Sequence, residues 1–133
     1  MKVSIITATY NREKTIFKAI SSIKNQDYED IQTIVIDGKS SDKTVSIVKP
    51  MLNNKDILKS EKDKGIYDAL NKGLNLADGD IIGFLHSDDL YFNQNVISKV
   101  INAFSKKDVN VVYGDVCFFA AGKTEKIVRR YIS

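Results

Sequence analysis

The sequence predicts an α/β domain built on a mainly parallel sheet, on three observations. Short runs rich in β-branched residues recur with little polar alternation, as in strands covered on both faces. Segments whose apolar residues repeat at helical spacing lie between them. The strand-like runs also end in polar clusters, where strands of an open α/β sheet give way to loops. Strand–helix alternation of this kind favours parallel strands with helices on both faces.

The runs fall at 3–6, 33–36, 81–85, 109–113 and 117–120, with a fainter one at 57–59. After the first, Asn11 can cap a helix with the apolar stripe Ile16, Ile20 and Ile23, flanked by Phe17 and Ala19. Ser40 or Ser41 can cap a shorter helix carrying Val45 and Val48, which Pro50 should end. Ile66, Leu70, Leu74 and Ala77 mark a third helix, closed by the turn signal Asp78-Gly79. Ile97, Val100, Ile101 and Phe104 mark a fourth. Beyond Tyr113 the pattern becomes strand, a turn at Ala121-Gly122-Lys123, then Ile127-Val128 and Tyr131, which predicts a C-terminal β-hairpin-like extension.

The 133 residues suit one domain, 1–133, and are too few for two full-sized ones. Apolar residues make up 43% and charged residues 28%, the balance of a soluble globular chain. No apolar run approaches the ~20 residues of a membrane helix, and the N-terminus enters a strand at once, without a signal-peptide pattern. The single cysteine, Cys117, cannot form an internal disulfide, so a cytoplasmic location and a buried thiol are expected. Net charge is +3, with the densest basic spots at Lys106-Lys107 and Arg129-Arg130. Nucleic-acid binders concentrate such charge on one face among aromatic residues, and this chain scatters it, which argues against a nucleic-acid partner.

Four polar clusters follow strand-like runs: Thr7 to Asn11, Asp37 to Asp42, Ser60 to Gly65, and His86 to Asp89. In a parallel sheet they converge on one edge, where ligands bind. Each alone reads as a turn or cap; together they favour a ligand site. The adjacent carboxylates Asp88 and Asp89 need a counter-charge to stay ionised together, and a divalent cation is the usual one. Magnesium or manganese takes one or two carboxylates and completes its shell with water and substrate phosphates, which implies a phosphorylated ligand. An N-cap pair for the helix after Asn93 is the bland alternative. No Gly-rich phosphate loop is present. His86 suits a turn hydrogen bond as well as a metal. Tyr10 could stack on a base or cover the start of the first helix.

The stretches "VSIITATYNREKTIFKAISSIKNQDYEDIQTIVIDGKSSDKT", "SEKDKGIYDALNKGLNLADGDIIGFLHSDD" and "VVYGD" resemble the N-terminal half of the inverting glycosyltransferases of family 2, which have the GT-A (Rossmann-like) fold. "DGKSSDKT" and "SEKDKGIYDALNKG" resemble the bacterial branch that builds O-antigen and other surface polysaccharides. The resemblance implies a nucleotide-sugar donor, a UDP-sugar first, with Thr7, Ala8 and Tyr10 lining the base and ribose pocket. Asp37 would sit at the base-binding loop, and Asp63 and Lys64 would close over the nucleotide. "SDD" would be the DXD-type element: Asp89 on Mn2+ or Mg2+, Asp88 on the ribose or sharing the metal. Two positions depart from the family pattern. Gly38 stands where many members carry a second acid that helps hold a uracil ring, and His86 stands where many begin "DSDD".

The resemblance further implies a glycan or lipid-linked glycan acceptor, with peripheral association at the inner face of the membrane. Family members continue into an acceptor-binding half with an acidic general base. No residue after Asp115 offers that signature, so the catalytic base is expected beyond Ser133, and the chain is expected to be the truncated donor half, inactive alone. A strand edge exposed by such truncation would favour self-association. A non-catalytic nucleotide-sugar-binding module fits the same residues. A receiver-like domain would want an acidic pair where Thr7-Ala8-Thr9 stands, and a sugar nucleotidyltransferase a Gly-rich loop where "TATYNRE" stands.

Overall fold

The structure, a computed structural model, describes residues 1–120 and 123–132, with the backbone alone at 124–126. It divides into two compact units, Met1–Lys99 and Val100–Ser133. In the first, the order is β1 (Val3–Thr9), α1 (Ile16–Lys24), β2 (Ile31–Asp37), α2 (Thr44–Val48), β3 (Ile57–Ser60), α3 (Ile66–Leu76) and β4 (Ile81–Phe84). Helix α4 (Val96–Phe104) begins in the first unit and ends in the second. The second unit also holds β5 (Val116–Ala120) and β6 (Lys123–Tyr131), an antiparallel pair with a register shift near Phe119. Residues 121 and 122 of the expected turn lie outside the described residues.

The sheet of the first unit is wholly parallel, in the order β3-β2-β1-β4. β1 and β2 are buried along their whole length, their apolar residues interspersed with the buried polar side chains Ser4, Thr7, Gln32, Thr33 and Asp37. Successive side chains alternate between faces. Ile6, Ala8, Ile34 and Ile36 form one core layer with Ala69, and Leu70, Leu76 and Ala77 pack against it. Helix α1 buries Ile16, Ala19, Ile20 and Ile23 and leaves Phe17 in solvent. A short 3-10 turn at Lys49–Met51, with Pro50 at its centre, follows directly on α2. No helix among the described residues is long and apolar enough to cross a membrane.

Helix α3 is rotated from the expected stripe. Ile66 and Leu74 are exposed, while Ala69 and Gly73 are buried. Close approach to the sheet is the reason: a Cβ on Gly73 would lie 2.4 Å from Ile6 Cγ2. The small residues therefore carry the contact, and the larger ones are displaced to the flanks. Gly73→Ala gains about 1 kcal/mol of helix propensity, but forcing a methyl into this contact costs about 1–3 kcal/mol. The variant should melt below the parent in a thermal scan, since Ile6 is itself fully enclosed and has little room to give.

Four other expectations are corrected. Asn11 does not cap α1; Thr15 precedes that helix, and Asn11 adopts a left-handed φ of 49° in the loop before it. Neither Ser40 nor Ser41 caps α2; Lys43 stands at its N-cap without a side-chain cap bond, and the Asp42 carboxylate just before it accepts from Thr44 N at 2.9 Å. The run at 109–113 is not a strand: Val111 is 77% exposed and Tyr113 80% exposed. β-propensity alone does not hold a strand that has no ladder partner, and none pairs with this run among the described residues. Cys117 is half-buried on the hairpin and not enclosed as expected.

Candidate active site

Because all four strands run the same way, Tyr10, Gly38, Glu61 and Leu85 each begin a loop at the same edge of the sheet. The register sets three of the strand ends level. Thr9 pairs with Asp37, and Asp37 pairs with Ser60. Side chains at matched positions of a parallel pair share a face, so Asp37 and Ser60 are neighbours by construction.

Asp37 is completely buried and is the hub of this edge. Its carboxylate accepts from Ser40 N at 2.9 Å, Ser40 Oγ at 2.5 Å and Ser60 Oγ at 2.6 Å. The Ser40 hydroxyl oxygen in turn accepts from Asn11 N at 2.8 Å, and Asn11 Oδ1 accepts from Ser41 N at 2.8 Å. Arg12 N donates to Thr44 Oγ1 and Glu13 N to Asp42 Oδ2, which further staples the loop after β1 to the loop after β2. A polar relay, Asn11–Ser40–Asp37–Ser60, thus crosses the ends of three strands. Asp37 is expected at the base-binding loop and Asn11 as a helix cap. The geometry makes both of them fasteners of the loops. An Asn tolerant of left-handed φ, two residues past the end of β1, was the available signal.

The loop after β3 is fastened separately. Lys72 Nζ lies 3.1 Å from Glu61 Oε1 and 3.4 Å from Asp68 Oδ2, and donates to Lys62 O at 3.2 Å. Lys64 N donates to Asp68 Oδ2, and Gly65 N to Asp63 Oδ1. The Lys72 ammonium holds the Glu61 carboxyl below its ordinary range, and the Lys64 amide, then Lys72, does the same for Asp68. Asp63 is left half-buried beside Gly38, and the Lys64 side chain is exposed.

The expected site residues divide into two groups. Thr7 and Ala8 have their side chains in the core, with Ala8 in the layer against Ala69. Tyr10 is 59% exposed just after β1. Thr9, buried at the same edge, has a hydroxyl with no hydrogen-bond partner among the described residues.

After β4, Asp89 N donates to His86 O at 3.0 Å, closing a turn that presents Asp88 and Asp89 outward. Partial burial first, and the Asp88 charge second, push the Asp89 carboxyl above the usual aspartate range, with His86 acting weakly the other way. No lysine or arginine is hydrogen-bonded or ion-paired with either acid among the described residues. The described residues hold no cluster of three His, Cys, Asp or Glu side chains that could enclose an ion. An uncompensated pair, with no third protein ligand, fits an ion that takes the rest of its shell from water and phosphate.

A surface pocket of about 280 Å³ opens beside the start of α1, lined by Asn11, Arg12, Glu13, Lys14, Thr15 and Asp42. Its acids are already engaged by Glu13 N, Lys43 N and Thr44, so the pocket defines no ligand by itself.

A four-stranded parallel sheet with flanking helices and acids at its C-terminal edge is the arrangement of GT-A glycosyltransferases, and the comparisons agree. The sequence model "Glycosyl transferase family 2" matches residues 4–131, and the chain belongs to that family. It is 32% identical over 117 residues to a PGL/p-HBAD biosynthesis glycosyltransferase of Mycobacterium bovis, a match covering 85% of this chain and 46% of that protein. The chain therefore spans less than half the length of this relative. Among solved structures it is similar to S. aureus TarS 1-349 in complex with UDP-GlcNAc, at 33% identity and a TM-score of 0.66, covering 78% of this chain and 31% of that one. It is also similar to glucosyl-3-phosphoglycerate synthase of Mycobacterium tuberculosis in complex with Mn2+, UDP and glucosyl-3-phosphoglycerate, at 25% identity and a TM-score of 0.56, covering 65% of this chain and 33% of that one.

Proposed function

We propose that the chain is the donor-binding part of an inverting glycosyltransferase that moves a sugar from a nucleotide-sugar, a UDP-sugar first, to a polysaccharide or lipid-linked acceptor. The observation that carries this is the convergence of Tyr10, Gly38, Asp63-Lys64 and Asp88-Asp89 on one edge of a parallel sheet, as the four loop-bearing strand ends. The similarity to structures that hold UDP-GlcNAc, or UDP with Mn2+, supports the donor class.

In this reading Tyr10 offers an aromatic face to the base, and the Lys64 ammonium offers charge to the diphosphate. Asp88 accepts from a ribose hydroxyl or shares the metal. Asp89, with Asp88 beside it, would hold Mn2+ or Mg2+, and the ion would supply positive charge to offset that of the diphosphate. Inverting transfer is a single displacement: the acceptor oxygen bonds to the anomeric carbon as the bond to the diphosphate breaks. The acceptor's proton goes to a carboxylate base. Asp37 does not serve as that base, since it is enclosed and occupied by Ser40 and Ser60. The compartment implied is the cytoplasm, at the inner face of the membrane for a lipid-linked acceptor.

Calorimetry with UDP-, GDP- and TDP-sugars, with and without manganese, tests the reading. Manganese-dependent binding of a UDP-sugar is the expected result. Absence of metal-dependent binding to all three would refute it. The raised Asp89 pKa adds a pH signature. An acid whose folded pKa lies above its unfolded value destabilises the fold where it is ionised, and that cost disappears as pH falls through the folded pKa. Metal binding needs the ionised form, so the metal-induced rise in Tm should fade at a pH above the ~4 of an ordinary aspartate. A metal response unchanged down to pH 4 would contradict this.

A further inference from the structure

The carboxylates at the C-terminal edge are not equally available. Asp37 is enclosed and has both oxygens hydrogen-bonded. Position 38 is glycine and contributes no side chain. Asp63 fills the space above it: a Cβ placed on Gly38 would lie 2.9 Å from Asp63 Oδ2 and 3.4 Å from Asp63 Cγ. Asp63 Oδ1 accepts from Gly65 N at 3.0 Å, which fixes the carboxylate, while Oδ2 has no hydrogen-bond partner among the described residues. A side chain at 38 and the carboxylate of Asp63 are thus mutually exclusive occupants of one volume.

A nucleoside diphosphate held at this edge has two chemically different ends. Its phosphates are anionic and belong with the counter-ion at Asp88-Asp89, after β4. An unpaired carboxylate would repel them, so Asp63 suits the end that carries hydrogen-bond donors. The strand order places β2 two spacings from β4, about 10 Å away, with Tyr10 on β1 between them. The phosphates at β4 then leave the base over β2, where Asp63 stands.

We propose that Asp63 reads the base, accepting the ring N–H of uracil, thymine or guanine in the space that glycine at 38 leaves open. Cytosine and adenine present a lone pair at the equivalent ring nitrogen and are repelled by the same oxygen. This rests on the donor reading of the site, and the experiment separates the two.

The test is calorimetry in manganese with UDP, GDP, CDP and ADP, on the parent chain, Asp63→Asn and Gly38→Ala, with Tm of each as a folding control. The parent should prefer UDP and GDP over CDP and ADP at least about tenfold. Asp63→Asn keeps an acceptor for Gly65 N and gains a donor for cytosine N3, so the UDP-to-CDP ratio should fall to about threefold or less. Gly38→Ala should push the Asp63 carboxylate aside by a few tenths of an ångström at Oδ2, lowering UDP affinity several-fold while CDP binding and Tm hold. A parent that binds UDP and CDP equally overturns the proposal and leaves the donor reading standing. So does an Asp63→Asn variant that loses UDP and CDP in equal measure, which would put the carboxylate on the ribose. A parent that binds none of the four nucleotides overturns both.

Discussion

Asp37→Ala is expected to lower stability by about 3 kcal/mol, because it strips a buried charged acceptor from three donors at once. For a domain of this size that is a fall in Tm of roughly 10 °C. The two hydroxyls can turn toward other acceptors, but Ser40 N is fixed by the backbone and stays unpaired. Ser60→Ala removes one of the three bonds and leaves the others, so about 1 kcal/mol is expected there. The contrast decides what Asp37 does. A residue that only touched ligand would cost affinity with Tm intact. A clamp of the strand ends costs both, since the loops carrying Tyr10 and Gly38 are anchored through Ser40 to Asn11. Chemical denaturation and donor titration of the same variants measure the two effects. A Tm within 2 °C of the parent for Asp37→Ala would contradict the clamp.

Asp89→Asn is expected to weaken manganese-dependent donor binding about a hundredfold, near 2.7 kcal/mol, and to leave the weak metal-free binding unchanged. Without metal, the same variant should melt slightly higher than the parent. The amide relieves the repulsion with Asp88 and the cost of burying a charge, the two causes that raise the Asp89 pKa. Asp88→Asn separates the roles: an acid on the ribose side loses affinity with or without metal. If Asp89→Asn and Asp88→Asn behaved alike in both conditions, the division of labour between the pair would be wrong.

The sheet was legible because its strands are buried on both faces. Ile34, Val35 and Ile36 can be little else once Asp37 and Gly38 end the run. The helices were legible by period, but the face of α3 was not. Its contact depends on how closely it approaches Ile6, and a glycine at the point of contact carries no hydrophobic signal. The run at 109–113 misled for the opposite reason, since it has strand composition and no ladder. At the site, the aspartate pair and the polar strand ends could be read from position alone. The role of Asp37 could not. An acid at a strand end looks the same as ligand or as clamp until the register sets Ser60 beside it. Lys72 was invisible likewise, because its three partners come from a loop ten residues upstream and from its own helix.

In the proposed function a nucleotide diphosphate and a divalent ion meet at the C-terminal edge of this sheet. Amide-resolved NMR of the labelled chain tests it most directly, with UDP and magnesium to map the nucleotide and trace manganese to map the ion. Shift changes confined to the loops after β1, β2, β3 and β4 are expected, with paramagnetic broadening centred on residues 86–89. Broadening centred elsewhere, or UDP shifts at the opposite edge around Lys2, Asp30 and Asp80, would contradict it.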